Sequence, residues 1–300
     1  MGLFSKKDPC AICGGKVKGL FPSKIAGQYI CSDCYGATDL PEGATDNMSV
    51  EDFRAYMAFR DENAQLKQQF QITQEVDFGW FDTKFVFDAG NRLMCLDKSL
   101  EKTIFEGGQI KSFVIKEDST PIFEGSAAGL VCYSSTVPER AQAMMPQIQS
   151  VRIQMELYEA ARRMMDDDDN SVRRPVVDLP EPFRSFNVEI RFEHPYWDVF
   201  TADKEGPRFD NDMPDLDDYL DGYKRDFAVI EQLARALKQV AFPDAPEQTV
   251  HGGVTVGAAV TAAAAPVDTV AEIKRFKDLL EQGVITEEEF AAKKRQLLGI

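Results

Sequence analysis

Four cysteines near the amino terminus constrain this chain more than any other feature. They form two Cys-x-x-Cys pairs, Cys10 with Cys13 and Cys31 with Cys34, and seventeen residues separate the pairs. Two such pairs at this spacing are typical of a zinc site, because each tight loop presents two sulfurs to one ion. The sequence therefore predicts that these four side chains hold Zn²⁺.

We expect this ion to be structural. Four thiolates fill the tetrahedral shell that Zn²⁺ prefers and leave no open position for a substrate. Residues 1–40 contain few apolar side chains, so metal binding has to supply much of the local folding free energy. Gly14, Gly15 and Gly36 fit the tight turns of such a module. We predict that this cysteine module, residues 1–40, unfolds when its ion is removed.

Other uses of paired cysteines fit the sequence less well. A thioredoxin-like redox site needs a single Cys-x-x-Cys in a βαβ setting, which the flanking residues do not show. Disulfides need an oxidising compartment, and the first residues lack the apolar segment of a secretory signal. Residues 1–6 are close to a myristoylation signal, but Lys6 stands where that signal needs Ser or Thr.

The charge of the chain limits its partners. There are 50 acidic and 34 basic residues, so the formal net charge is −16 and the mean field repels phosphates. The local exception is the cysteine module, which carries five lysines: Lys6, Lys7, Lys16, Lys18 and Lys24. We favour a role for these lysines in offsetting the double negative charge of a zinc–tetrathiolate centre. Contact with a nucleic acid is the alternative.

Composition also predicts the setting of the protein. Forty-four per cent of the residues are hydrophobic, which is enough for a substantial core. No apolar run approaches the length of about eighteen residues that a membrane-spanning helix needs. Because the thiols are free and no export signal is evident, we expect a cytoplasmic protein.

A connecting helix is predicted within residues 41–71, between the cysteine module and a body at 72–242. Ser49 followed three residues later by Asp52 is typical of a helix N-cap with an acidic first turn. The apolar residues that follow have only loosely helical spacing. We therefore expect a short helix here.

Strand periodicity begins at residue 72. Turn residues at 88–91 and 107–108 separate short apolar runs, which predicts an antiparallel meander over 72–133. Cys95 and Cys132 lie inside these runs, and we interpret both as small buried side chains.

The segment 137–165 is ambiguous. Residues 151–157 alternate between apolar and polar, as in a strand, whereas 158–165 have helical spacing. We predict a strand followed by a short helix. The aspartates at 166–169 lack the spacing of an EF-hand, so we interpret them as a solvated loop and not as a calcium site.

Residues 186–192 alternate cleanly and predict a strand that leads to His194 and Tyr196. A histidine among aromatic residues can act as a general base, but no Ser or Cys nucleophile is placed to act with it. We interpret this cluster as a packed corner, and a hydrolase centred on His194 is an alternative. The acidic segment 210–221 then leads into a long amphipathic helix, whose apolar face should close one side of the sheet.

The C-terminal part is predicted to be a tethered module. Residues 243–268 are rich in Pro, Ala and Gly and read as a flexible linker. Residues 269–300 predict a helical hairpin, which is too short to be stable alone. Its apolar stripe should therefore pack on another copy or on a partner. The candidate contact residues are Ile273, Phe276, Leu280, Phe290 and Leu297.

Two segments resemble known families. Residues 283–300, with Thr286, Phe290 and Leu297, resemble the SHOCT family, a short C-terminal domain of many bacterial proteins whose presence implies oligomerisation. The cysteine module is similar to a zinc-ribbon-like family of unknown function that is often coupled to SHOCT tails in bacteria and phages. In such proteins the middle is a β-rich body likened to PH/GRAM folds, which the meander at 105–123 resembles.

The sequence thus predicts an α+β protein with an N-terminal zinc knuckle or ribbon, an antiparallel β-rich and possibly PH/GRAM-like body with a long amphipathic helix, a linker and a helical hairpin. We expect a non-catalytic, zinc-binding adaptor or scaffold that forms homo-oligomers and binds a macromolecular partner. The alternatives are a nucleic-acid- or ribosome-associated protein, binding through the lysines of the cysteine module, and the hydrolase.

Overall fold

The structure, a computed structural model, describes residues 8–19, 21–41, 43–79, 84–164, 173–176, 179–210 and 213–250. The helices are α1 Ser32–Gly36, α2 Val50–Asn63, α3 Val137–Ala143, α4 Met145–Arg163 and α5 Leu216–Ala241. The strands are β1 Lys24–Ile25, β2 Gln28–Tyr29, β3 Gln74–Asp77, β4 Lys84–Asp88, β5 Leu93–Cys95, β6 Ile104–Glu106, β7 Ile110–Glu117, β8 Thr120–Ser126, β9 Gly129–Tyr133, β10 Ser185–Phe192, β11 Val199–Glu205 and β12 Glu247–Val250. The predicted α+β class is confirmed.

Several predictions fall on residues outside the described ranges. They are Lys6 and Lys7, the aspartates at 166–169, the linker from residue 251 onward, and the hairpin at 269–300 with its five contact residues.

Strands β3 to β6 form a four-stranded antiparallel sheet in chain order. The predicted turn at 88–91 joins β4 to β5. The Asp88 carboxylate holds this turn by accepting hydrogen bonds from the backbone N–H groups of Asn91 at 3.0 Å and of Gln71 at 2.7 Å. Such local bonds are the reason Asp and Asn favour turns.

Strands β7 to β12 form a six-stranded sheet in the order β11-β10-β7-β8-β9-β12. The meander predicted over 72–133 is therefore divided between two sheets. A 3₁₀ turn at Gly107–Gln109 separates β6, the last strand of the first sheet, from β7 in the second. The predicted strand at 186–192 is confirmed as β10, which pairs with both β7 and β11.

Aromatic contacts join the two sheets. Phe105 on β6 stacks on Phe192 of β10 with 4.5 Å between ring centroids, and Phe85 on β4 meets Phe200 of β11 edge-on at 5.8 Å. Offset-stacked and edge-on geometries are those that aromatic rings prefer. The main hydrophobic core therefore lies between the sheets and continues under α5.

Helix α5 confirms the predicted long amphipathic helix. The Asp215 carboxylate caps its N-terminus by accepting hydrogen bonds from the N–H groups of Asp217 and Asp218, at 2.8 and 3.2 Å. Its apolar face, including Ile230 and Leu237, is fully buried against both sheets. No helix among the described residues, α5 included, is both long and apolar enough to cross a bilayer.

The strand predicted at 151–157 is wrong, because these residues lie within α4. The alternation arises because α4 is apolar on two opposite faces. Met155 is buried and Val151 half-buried on the inner face, whereas Ile153 and Leu157 are exposed on the outer face. Two helical stripes interleaved in this way read as a period of two in the sequence.

The linker prediction is wrong for residues 247–250, which form β12. This strand pairs in parallel with β9, in register from Glu247 opposite Leu130 to Val250 opposite Tyr133. All four side chains are exposed. Backbone pairing with β9 and an ion pair of Glu247 with Arg235 at 3.6 Å hold the strand without burial, so no burial pattern marks it in the sequence.

The close contact between Gly107 and the C-terminal end of α5 gives a prediction about stability. A Cβ added at Gly107 would lie 2.1 Å from the backbone oxygen of Val240, near the C-terminus of α5. We expect Gly107→Ala to lower the free energy of unfolding by about 1–3 kcal/mol, because the backbone there has to shift. Urea unfolding followed by circular dichroism measures this change.

Gly108→Ala is the matched control. A Cβ at Gly108 meets no atom within 4 Å, so this variant should unfold like the wild type. Equal stability of the two variants would show that the close approach at Gly107 does not constrain α5.

Candidate metal centre

The first cysteine pair lies on a tight turn over residues 10–15. The Gly14 N–H donates to the Cys10 carbonyl at 2.9 Å, and the Cys10 N–H donates to the Gly15 carbonyl at 2.8 Å. Gly14 has a φ of 69°, which is strained for a residue that carries a Cβ. The turn also lets the Gly15 N–H donate a hydrogen bond to Cys13 Sγ at 3.4 Å. The Gly14–Gly15 pair thus allows the tight turn and also supplies a hydrogen bond to Cys13 Sγ.

The second pair follows the β1–β2 hairpin. The two hairpin turn residues, Ala26 and Gly27, have positive φ angles of 46° and 81°, as a two-residue hairpin turn requires. Cys31 comes next and caps α1, because its Sγ accepts a hydrogen bond from the Cys34 N–H at 3.4 Å. The Cys31 N–H in turn donates to Cys10 Sγ at 3.3 Å. This last bond links the two pairs directly.

All four predicted ligands meet in one place. The Sγ atoms of Cys10, Cys13, Cys31 and Cys34 lie within 4.8 Å of one another, and the distance from Cys13 Sγ to Cys31 Sγ is 3.7 Å. A tetrahedron with Zn–S bonds of about 2.3 Å has sulfur–sulfur edges of about 3.8 Å. The cluster therefore has the dimensions of a metal site.

The local electrostatics favour a cation. Burial acts to raise the pKa of Cys10, but backbone N–H groups of Cys13, Cys31 and Ile12 stabilise its thiolate and lower the pKa to about 6. The pKa of Cys34 is raised by burial, by hydrogen bonding with the Cys31 and Cys13 thiols, and by the charge of Cys10. The first thiolate thus opposes ionisation of a later one, and a divalent cation removes this conflict.

The donor set fits Zn²⁺. Four sulfurs without nitrogen or oxygen ligands suit a borderline-soft ion that accepts tetrahedral geometry. The four cysteines would hold the ion, which would crosslink the turn at 10–15 to α1. The role supported by this closed shell is structural.

A small apolar core lies beside the cysteines. It contains Val17, Ile25 and Ile30 from the cysteine module, all less than 9% exposed, and Phe53 and Tyr56 from α2, which are fully buried. Residues beyond the predicted boundary at 40 therefore complete the core of this module. The scarcity of apolar residues before 40 is offset by α2.

Residues 9–56 match the family model described as domain of unknown function DUF4428. The matched segment contains all four cysteines and ends at Tyr56, so it includes the part of α2 that packs beside them. Residues 271–298 match the SHOCT model, described as a short C-terminal domain. Both predicted resemblances are thus supported, whereas searches of curated proteins and of solved structures give no match. The likeness to PH/GRAM folds stays a prediction.

The cysteine module is fixed to the four-stranded sheet by Asp39, five residues after Cys34. One carboxylate oxygen of Asp39 accepts a hydrogen bond from the Tyr56 hydroxyl at 2.5 Å. The other oxygen forms an ion pair with Arg60 at 2.8 Å and accepts a hydrogen bond from the Thr103 N–H. One carboxylate therefore joins the cysteine module both to α2 and to Thr103, the residue before β6.

Helix α2 makes a second set of bonds to the same sheet. The Asn63 side chain both donates to the Ile104 carbonyl and accepts from the Ile104 N–H, each at 2.8 Å. Asp39, Arg60 and Asn63 were not predicted from the sequence. The only available signal was their position, because Tyr56, Arg60 and Asn63 recur on one face of a predicted helix.

His194 lies at this junction as a packed side chain. Its ring meets Phe59 and Phe105 edge-on, with centroids 5.1 and 5.5 Å apart. Nδ1 accepts the Tyr196 N–H at 3.2 Å, and Nε2 is buried without a hydrogen-bond partner among the described residues. Burial lowers the pKa of His194 and so favours the neutral ring. The interpretation as a packed corner is supported, and a nucleophile within reach of His194 is absent from the described residues.

The lysines of the module lie at its surface. Lys16, Lys18 and Lys24 are exposed, and Lys24 Nζ stacks over the Tyr29 ring at 4.7 Å from the centroid. An exposed lysine acts on the thiolates only through screened, longer-range attraction. Their proposed roles, in charge compensation or in nucleic-acid contact, therefore both stay predictions.

The metal assignment predicts the zinc content of variants. Cys31→Ser removes a buried sulfur that touches both pairs, so purified full-length protein should contain far less than the one zinc per chain expected for the wild type. Cys132→Ser is the control, because Cys132 is a half-buried thiol outside the cluster. Elemental analysis by mass spectrometry measures both. Equal zinc content in all three proteins would contradict the site.

The Asp39 junction predicts a loss of stability. Asp39→Asn removes the charge that faces Arg60 and places an amide N–H₂ among hydrogen-bond donors, so the free energy of unfolding should fall by about 1.5–3 kcal/mol. Asp61→Asn, an equivalent change at an exposed position on α2, should have little effect. Urea unfolding of the zinc-loaded proteins compares them. A neutral Asp39→Asn would mean that the module is attached mainly by apolar contacts.

Proposed function

We propose that this chain is a non-catalytic, zinc-binding and self-associating adaptor that binds a macromolecular partner in the cytoplasm. The observation that carries the proposal is the convergence of four cysteine Sγ atoms within 4.8 Å. Four protein ligands complete the tetrahedral shell, which leaves no coordination position for a substrate or an activated water. Zinc would thus act by stabilising the folded conformation of the cysteine module.

The way the module is attached supports a binding role. The Asp39 carboxylate and α2 fix the cysteine cluster to β6, so metal binding would stabilise a surface that is continuous with the body. The exposed part of the module includes Phe21, whose side chain is 97% exposed. Exposed aromatic side chains are frequent anchors of protein interfaces. Phe21 is our candidate for a partner contact.

The C-terminal segment supports the self-association part of the proposal. SHOCT segments are generally associated with protein interaction, and residues 271–298 match that family. Joining several copies of a weak binding module raises the apparent affinity without any new contact, because later binding events become intramolecular. The proposed contact residues are those predicted from the sequence: Ile273, Phe276, Leu280, Phe290 and Leu297.

The test measures mass and partner capture together. Three full-length proteins are compared with a chain that ends at Pro266: the wild type, Phe290→Glu and Phe21→Ala. Light scattering should give an oligomer for the wild type and Phe21→Ala, and a smaller species for Phe290→Glu and the truncated chain. Partner recovery from a lysate should fall at least tenfold for Phe290→Glu and the truncated chain, because avidity is lost.

Two outcomes would contradict the proposal. An unchanged mass for Phe290→Glu and for the truncated chain would remove the role of the C-terminal segment. Capture that is abolished by nuclease, falls steeply with salt and is lost on replacing Lys16, Lys18 and Lys24 by Ala would indicate nucleic-acid binding instead. Loss of capture in Phe21→Ala with unchanged mass would locate the partner contact on the cysteine module.

A further inference from the structure

Helix α4 presents an apolar face to solvent in addition to the face it buries. Its inner face contains Ile148 and Met155, which are 2% and 3% exposed. On the opposite side Ile153, Leu157 and Met164, its C-cap, are 57%, 66% and 90% exposed. Isolated exposed apolar residues are common, but three large side chains along one helix form a stripe.

The stripe has the spacing of a coiled-coil seam. Exposed uncharged residues recur at alternating steps of four and three from residue 146 to residue 164: Pro146, Ser150, Ile153, Leu157, Ala160 and Met164. Helices that carry apolar residues at this average spacing of 3.5 pack side by side, with each side chain inserted between residues of the facing helix. The small side chain of Ala160 allows close approach. We call these six positions the α4 seam.

Charges beside the α4 seam indicate which partner fits. Glu156 and Arg163 lie on the same flank, one heptad apart, while Gln154 and Ala161 on the other flank are uncharged. In an antiparallel pair of helices, residues on the same flank face each other. Glu156 of one copy therefore faces Arg163 of a second copy, and the two-fold symmetry repeats this ion pair.

One register satisfies both the seam and the charges. In it Leu157 packs on Ala160 of the second copy and Ile153 packs on Met164, so each large side chain meets a complementary one. Moving the second helix by one heptad brings Glu156 opposite Glu156, which is repulsive. A parallel pair places Glu156 opposite Ala161 and forms no ion pair among the residues of α4. Self-complementarity of this kind is what a two-fold interface requires.

We propose that the α4 seam is a contact between two copies of this chain, formed by antiparallel pairing of their α4 helices. Arg163 pairs within its own helix with Glu159 at 3.2 Å, and both side chains are exposed. Such a pair contributes little, so exchanging it for Glu156 of the second copy costs little. The contact is short compared with the area of about 1,200–2,000 Å² that stable interfaces bury. It is therefore a weak contact that acts in addition to others.

Charge reversal tests the pairing in the full-length, zinc-loaded protein. Glu156→Arg and Arg163→Glu each replace two attractive pairs by two repulsive ones, so each should raise the dissociation constant of self-association roughly tenfold. The double variant E156R/R163E restores opposite charges and should recover wild-type association. Glu62→Arg, the same charge change at an exposed position on α2, is the control. Sedimentation velocity over a wide concentration range at low salt measures all four.

The apolar part of the contact is tested separately. Leu157→Glu should weaken association more than either charge reversal, whereas Val176→Asp should leave it unchanged because Val176 is exposed and is not part of α4. Circular dichroism checks that each variant keeps its fold, which is expected since the altered side chains are exposed. Wild-type association of a folded Leu157→Glu, or a double charge variant no better than the single ones, overturns the proposal.

A Phe290→Glu background separates this contact from the C-terminal segment. If the α4 variants weaken association in that background, the two contacts are independent and the α4 seam is supported. If Phe290→Glu alone abolishes association and the α4 variants have no effect in the wild-type background, the α4 inference fails while the proposed role of the C-terminal segment stands. If only the α4 variants weaken association and Phe290→Glu has no effect, the α4 seam is supported and the proposed role of the C-terminal segment fails.

Discussion

The arrangement of this protein depends on the hydrogen bonds and the ion pair of the Asp39 carboxylate. The carboxylate accepts a hydrogen bond from the Tyr56 hydroxyl of α2, pairs with the Arg60 guanidinium of α2 and accepts the backbone N–H of Thr103, which precedes β6. Asp39 itself lies on the segment that leaves the cysteine cluster. A partly buried charge is stable only when it is both paired and hydrogen-bonded, and here the ion pair and the hydrogen bonds come from α2 and from Thr103, before β6. The order of the cysteine cluster and the packing of the four-stranded sheet are therefore linked through one side chain.

The aromatic corner around His194 completes that junction. Tyr196 lies against Tyr56 and Phe59, with ring centroids 5.1 and 5.2 Å apart, so the loop after β10 packs on the same helix that closes the cysteine core. A histidine in this position contributes as a flat, neutral ring whose charged form is disfavoured by burial. The same features that suggest a catalytic base in a sequence, a lone histidine beside tyrosine and tryptophan, here describe packing.

Features whose residues interact with near neighbours in the chain could be predicted from the sequence, whereas features that depend on distant residues could not. The cysteine spacing, the Ser49 N-cap, the turn at 88–91 and the long amphipathic helix are encoded by near neighbours, and the structure contains all of them. Asp39 could not be recognised, because its partners lie up to 64 residues away in the chain. The strand predicted at 151–157 is wrong because α4 has two apolar faces. Residues from the two faces alternate along the sequence and imitate the period of two that is typical of a strand. That error pointed to the outer face of α4.

The edges of the six-stranded sheet are both protected, and by different means. At one end β12 is only four residues long and fully exposed, which gives an incoming strand little to pair with. At the other end β11 carries Asp203, Lys204 and Glu205 in succession, and charged side chains disfavour edge-to-edge pairing. Growth of this sheet by strand addition is thus suppressed in both directions. The edges of this sheet therefore disfavour fibre-like association of copies.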